Sequence, residues 1–274
     1  MHLRRLGISK RQLLILATIT KTGTHYMRFL FANYLKLLGG SSDGPVTSQE
    51  MDAMFPNGWH RAYLRPHDYT KPTPLLGQFN LHDFPRSHIN YQWPYWDGSR
   101  VLHIYRNPLD FAVSYYIFRY EYHPDLAGTV SGPVEVMDMH LDEFAAMYLS
   151  YRQASTDTNA RVLSLCYEDI VRYPEVCFGT VLRWLGIEPQ PSLVSTAVEY
   201  SSTHTTALIG AGEIWQRNGT PPADPAKIAA FTDKFVKEGS VGQWREYFDE
   251  SDVRRVREKL NKAGINLQEF VLDH

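Results

Sequence analysis

The sequence predicts an α/β domain built on a central parallel sheet with helices on both faces, and two observations carry that prediction. Three segments repeat one order, a short apolar strand, a polar loop and then a helix. Their strands show little alternation of apolar and polar residues, as expected where both faces of a sheet are covered. With 274 residues, 43% of them hydrophobic and 21% charged, the chain can bury a sizeable core, and it reads as a single domain over 1–274.

The first unit is the apolar run 13–19, the loop "TKTGT" and a helix expected over 25–38, ended by Gly39 and Gly40. The second is the strand "RVLHIY", 100–105, then "RNPLD" and "FAVSYYIFRY". There Asn107 suits an N-cap, Pro108 the first helical position, and Asp110 completes a pattern like a capping box. The third is the strand "RVLSLCY", 161–167, the connection "EDIVRYP" and a helix carrying Val181, Leu182 and Leu185 on one face, closed by Gly186. A fourth strand is expected at "LLGQFN", 75–80, leading into "LHDF". Ligands of such sheets lie at the carboxyl ends of the strands. That rule gathers Lys21, His82, Arg106 and Tyr167 around one crevice. Two irregular stretches, 41–74 and 123–133, read as substrate-cap segments. In the C-terminal helix Val253, Val256 and Leu260 suit either internal packing or a homodimer contact.

A formal net charge of -2 argues against nucleic acid as a partner. Cys166 and Cys177 are too few for a disulfide framework or a zinc site and read as buried, reduced thiols, which points to the cytoplasm. The basic start and the apolar run after it imitate a signal peptide, but no small-residue cleavage site follows. No run approaches the roughly 20 apolar residues of a membrane span, so no transmembrane segment is expected. No H-E-x-x-H, Cys-x-x-Cys or EF-hand pattern calls for a metal.

Strand, "TKTGT", helix is an arrangement suited to a phosphate. Backbone N–H groups at a helix N-terminus favour an anion, Gly23 permits close approach, and Lys21 adds a full charge. The lysine precedes the glycine, so this is not a Walker A loop. In "YRNPLDFAVSYY" an arginine, Arg106, stands just before a second helix N-terminus, suited to a second phosphate.

Together these segments resemble the sulfotransferases. "TKTGTHY" is similar to their 5′-phosphosulfate loop and "YRNPLDFAVSYY" to their 3′-phosphate motif. "CYEDIVRYPEVCFGTVLRWLGI" is similar to the segment that follows, and "FVKEGSVGQWREYF" to the C-terminal loop that closes over the donor. The resemblance covers nearly the whole chain and implies a three-layer, P-loop-NTPase-like fold. It implies sulfuryl transfer from 3′-phosphoadenosine 5′-phosphosulfate (PAPS) to a hydroxyl or amine of a small-molecule, lipid or carbohydrate acceptor, leaving 3′,5′-diphosphoadenosine (PAP), without a metal. Carried over, Lys21 would stabilise the leaving group, and Thr22, Gly23, Thr24 and His25 would form the 5′-phosphate loop. Tyr26 would stack on adenine and Tyr167 would face it. Arg106, Ser114, Lys237 and Gly239 would bind the 3′-phosphate, and His82 would be the base, with Asp83 its alternative.

The sequence departs from the family pattern at Asn80, where a lysine is usual, at Thr20 in place of proline, at His25 in place of threonine, and at Glu238. Ser201 and Ser202 are further candidates on the adenine side. The rival readings are a kinase using Mg-ATP and a non-catalytic nucleotide-binding module. Aromatics from Tyr63 to Tyr122, including Tyr115, Tyr116, Phe118 and Tyr120, suit either an acceptor pocket or the core.

Overall fold

The fold was obtained as a computed structural model, whose described residues are 14–19, 21–41, 43–55, 86–87, 90–91, 99–121, 128–157, 161–202 and 241–270. Four parallel strands make one sheet in the order β2-β1-β3-β4, with β1 at Leu14–Thr18, β2 at Arg86–Ser87, β3 at Arg100–Tyr105 and β4 at Arg161–Cys166. Three of these are the expected strands. The fourth expected strand, 75–80, lies outside the described residues; the strand that lines the far side of β1 is Arg86–Ser87.

The flat hydrophobicity of the strands has a simple cause. Along β1, Leu14 and Leu16 enter one core while Ile15 and Ala17 enter the other. On β3, Leu102 and Ile104 take the first side and Val101 the second. Side chains alternate between faces, and both faces are dry, so these positions are apolar on either side.

On the first side pack α1 (Thr24–Leu38), α2 (Ser48–Met54), α5 (Tyr167–Arg172), α6 (Pro174–Trp184) and α7 (Pro191–Tyr200). Phe178 of α6 sits edge-on to Phe31 and Tyr34 of α1, at centroid distances of 5.2 and 5.6 Å. On the second side pack α3 (Pro108–Tyr116), α4 (Pro133–Thr156) and α8 (Glu250–Lys262). After α3 the chain widens into a π-helical turn, Ile117–Glu121.

Several expectations are corrected in detail. Tyr167 does not end β4 but begins α5, and "EDIVRYP" is mostly that helix. The stretch read as irregular from 41 contains α2, held by a Thr47–Glu50 capping box, with Val46, Met51 and Phe55 buried. Asp110 closes no capping box on α3; Asn107 caps it alone, accepting from the Leu109 amide at 2.9 Å, and Asp110 reaches elsewhere. Val256 and Leu260 are fully buried within the second core and Val253 packs on it, so their packing is internal.

Candidate active site

The strand order reverses between β1 and β3, and the loops leaving these two strands meet there. Neighbouring parallel strands that send their helices in different directions open a crevice at their carboxyl ends. The loop after β1 carries Lys21, and the residue after β3 is Arg106. The guanidinium Nη1 of Arg106 donates to the Lys21 carbonyl at 3.3 Å, so the two loops touch directly.

The β1 loop is tightly made. The Thr22 amide donates to the Ile19 carbonyl at 3.2 Å, closing a turn whose third residue, Lys21, has φ 69°. Lys21 is the one non-glycine residue of positive φ among the described residues. Such a conformation costs an L-residue of order 1–3 kcal/mol, and it persists where the surroundings enforce it. Thr22 does much of the enforcing: its buried hydroxyl lies 2.7 Å from the Ile19 carbonyl and 3.1 Å from that of Ile104, tying the loop to β3. Its amide and hydroxyl are therefore both engaged within the fold, which gives Thr22 a holding role in the loop. Thr24, also buried, shares a 2.6 Å hydroxyl contact with Thr18.

Gly23 is the N-cap of α1, at φ 90°, with no side chain capping the helix. The first-turn amides of Thr24, His25 and Tyr26 have no intrahelical acceptor by position and face the loop end, where the helix dipole is positive. His25 is exposed at this end and Tyr26 half-buried. Gly23 is required for a second reason. A Cβ there would lie 2.5 and 2.7 Å from Cδ2 and Cε2 of Tyr167, so that ring lies directly on the loop.

Tyr167 in turn lies beneath Arg106, whose Cζ is 4.6 Å from the ring centroid. Arg106 is only 2% exposed. Its Nε stands 3.8 Å from Oε1 of Glu168, an ion-pair distance and not a hydrogen bond. Glu168 is buried too; it accepts from the Asn107 amide at 3.0 Å and from the Cys166 thiol at 2.9 Å. Burial raises its carboxyl above the usual range, opposed by the charge of Arg106. Burial likewise raises the phenols of Tyr26 and Tyr167, and for Tyr26 the neighbouring Tyr167 adds to the effect.

Lys21 extends its ammonium over Phe118 of the π-helical turn, 4.2 Å from the ring centroid. Ser114 lies buried on α3, two turns along from Asn107. The α3 terminus also holds the C-terminal segment: Oδ2 of Asp110 accepts from the Gly242 amide at 2.7 Å and Oδ1 from the Trp244 amide at 3.0 Å.

Thus Lys21, Gly23, Thr24, Arg106 and Tyr167 come together as expected, with Tyr26 and Ser114 on the adjoining helices. His82, Asp83, Asn80, Thr20, Lys237, Glu238 and Gly239 lie outside the described residues. Ser201 is fully buried and accepts from Asn33 Nδ2 at 2.9 Å, a packing role. Sequence reasoning missed Glu168 as the charge beside Arg106, Asp110 as an anchor and Phe118 as the rest for Lys21. Among the described residues no group of carboxylates, histidines and cysteines could hold a metal, and no helix is long and apolar enough to cross a membrane.

A family model described as "Sulfotransferase domain" matches residues 11–263. The chain belongs to the sulfotransferase family. No curated protein sequence matches it. Among solved structures it is similar to retinol dehydratase in complex with retinol and PAP, at 17% identity and a TM-score of 0.65, over 96% of this chain and 83% of that one. It is also similar to a mouse sulfotransferase complexed with PAP, at 17% identity and a TM-score of 0.62, over 96% and 89% of the two chains. A putative steroid sulphotransferase of Arabidopsis thaliana aligns at 18% identity with a TM-score of 0.53, over 85% and 78%. At such identities the likeness establishes the fold, the P-loop-like α/β architecture of the sulfotransferases.

Proposed function

We propose that the protein transfers a sulfuryl group from PAPS to a hydroxyl or amine of a small, largely apolar acceptor. The observation that carries this reading is the junction of Lys21 and Arg106, two cations delivered to one crevice by adjacent strands. A donor with phosphates at both the 5′ and the 3′ position needs two such anion sites. The groups present fit it: an N-cap glycine at a helix start that no side chain caps by a hydrogen bond, first-turn amides, and a buried arginine beside a second helix N-terminus. Retinol dehydratase and the mouse sulfotransferase, similar in fold, are complexed with PAP.

In the reaction, the acceptor oxygen forms a bond to sulfur as the bond between sulfur and the 5′-phosphate oxygen breaks. Negative charge grows on the departing phosphate, where the α1 terminus opposes it without reorganising and the Lys21 ammonium adds a full charge. His82 takes the acceptor proton, with Asp83 the alternative base. Lys21 would leave Phe118 for the bridging oxygen. Arg106, Ser114, Lys237 and Gly239 hold the 3′-phosphate, while Glu168 and Tyr167 fix Arg106 in place. Tyr26 lies on the adenine side. No step calls for a metal. Buried thiols at Cys166 and Cys177 suit a reducing, cytoplasmic setting. The apolar character proposed for the acceptor follows the retinol bound by retinol dehydratase.

The test is transfer of radiolabelled sulfur from PAPS to a panel of phenols, sterols, retinoids and amino sugars. Label in an organic product that is lost in both Lys21→Ala and His82→Ala supports the reading. Transfer that survives Lys21→Ala would refute the assigned chemistry, and label transferred instead from γ-labelled Mg-ATP would favour the kinase.

A further inference from the structure

Beside Arg106 lies a buried polar cluster centred on Glu168, which is 1% exposed at the start of α5. Its Oε1 accepts from the Asn107 amide at 3.0 Å and its Oε2 from the Cys166 thiol at 2.9 Å. These two bonds tie the carboxylate to the N-cap of α3 and to the end of β4. Glu168 meets Arg106 as a charge: Nε is 3.8 Å from Oε1, too far for a hydrogen bond. The guanidinium is also positioned by the Lys21 carbonyl at Nη1 and by the Tyr167 ring below Cζ.

The other titratable groups around Glu168 do not balance its charge. Burial keeps the Cys166 thiol and the phenols of Tyr105 and Tyr167 protonated, and the charge of Glu168 adds to the effect on each. Asp169 brings further negative charge to Cys166 and Tyr105, and Asp110 does so to Tyr167. Arg106 is the cation that lowers the cost of the buried Glu168 charge. A buried ion pair of this kind holds while each member neutralises the other. A phosphate that engages Arg106 shares that cation and leaves the carboxylate poorly compensated. Held by two hydrogen bonds, Glu168 does not swing away, but it can accept a proton.

We propose that Glu168 is a positioning residue of the 3′-phosphate site, holding Arg106 as an ion pair and taking up one proton from solvent when a phosphate engages that arginine. The proton falls on Oε2, where the Cys166 sulfur accepts in place of donating, while Oε1 keeps the Asn107 amide. This rests on the sulfotransfer reading, which supplies the 3′-phosphate. The sign follows directly. Where binding takes up a proton, affinity falls as pH rises, and it is weakest once Glu168 stays charged in both states.

The test is isothermal titration of the full chain with PAP and with 5′-AMP between about pH 7 and pH 9, in wild type and Glu168→Gln. Phosphate monoesters lose their second proton near about pH 6, so the ligands are already ionised there. The comparison with 5′-AMP subtracts whatever the β1 loop contributes. In wild type the preference for PAP over 5′-AMP should shrink about tenfold across this range. In Glu168→Gln, which keeps the shape and an acceptor oxygen without the charge, it should stay flat and exceed wild type by about tenfold at the alkaline end. A purely structural role gives the opposite result, weaker PAP in Glu168→Gln at every pH. Because that variant leaves Arg106 buried without its counter-charge and can lose stability, a second measurement uses wild type alone. The enthalpy of binding at pH 8, compared among buffers of different ionisation heat, should show proton uptake with PAP and not with 5′-AMP. A flat wild-type preference, weaker PAP in Glu168→Gln, or no uptake beyond that of 5′-AMP would each overturn the role of Glu168 and leave the donor site standing. If wild type binds PAP no better than 5′-AMP even at pH 7, the donor reading falls and this role falls with it.

Discussion

Replacing Gly23 by alanine attacks the loop in two separable ways. The φ of 90° is outside the region comfortable for an L-residue, which costs about 1–2 kcal/mol. The new Cβ would also stand 2.5 Å from the Tyr167 ring, against about 3.4–4 Å for ordinary contact, so the ring must shift by roughly 1 Å. That ring is wedged between the loop and Arg106, and overpacking of this kind costs about 1–3 kcal/mol. Gly23→Ala should therefore lose about 2–5 kcal/mol of unfolding free energy. In a Tyr167→Ala background the clash is gone and only the backbone share remains, about 1–2 kcal/mol. Urea unfolding of the four proteins in the cycle measures the difference. An equal cost of Gly23→Ala in both backgrounds would refute the placement of Tyr167 on the loop, and with it the account of how Arg106 is positioned.

Asp110→Ala removes the acceptor for two backbone amides of the C-terminal segment and should cost about 2–4 kcal/mol of stability. It should also weaken PAP by tenfold or more while 5′-AMP changes little, because the loosened segment follows Lys237 and Gly239; isothermal titration with both nucleotides checks this. His103 is stacked on Tyr151 at 4.2 Å, and burial lowers its pKa from 6.5 to about 3. Unfolding releases it to take up a proton, so its contribution is complete above pH 6.5 and declines as pH falls towards 3, by about 1.4 kcal/mol per unit. His103→Phe should flatten the acid side of the stability profile by that slope; an unchanged slope would contradict the burial argument.

The parallel sheet and the loops after β1 and β3 were legible because they rest on local chemistry. A run such as 13–19 has no polar face to show, Asn107 and Pro108 announce a helix start, and a glycine beside lysine marks the loop. What could not be read was the burial of charge. Nothing in "CYED" distinguishes a solvated glutamate from Glu168 sealed beside Arg106. Asp110 has the right spacing for a capping box and is used by a segment far along the chain instead. The longest helix among the described residues, α4, was missed although Met137, Leu141, Phe144, Tyr148 and Tyr151 recur at helical spacing and all face the second core. Its many polar residues on the other face hid that stripe. Thr22 illustrates the reverse limit: the motif brought it to the loop, and only the contacts with Ile19 and Ile104 reveal that it faces inward.

The central claim is that the crevice reads two phosphates, one at the β1 loop and one at Arg106. Its most direct test is calorimetric binding of PAP against 5′-AMP and Mg-ATP, in the wild type and in Arg106→Ala. The account predicts PAP tighter than 5′-AMP by at least tenfold, a margin that disappears in Arg106→Ala while 5′-AMP is little affected. Equal binding of PAP and 5′-AMP, or stronger binding of Mg-ATP, would contradict it.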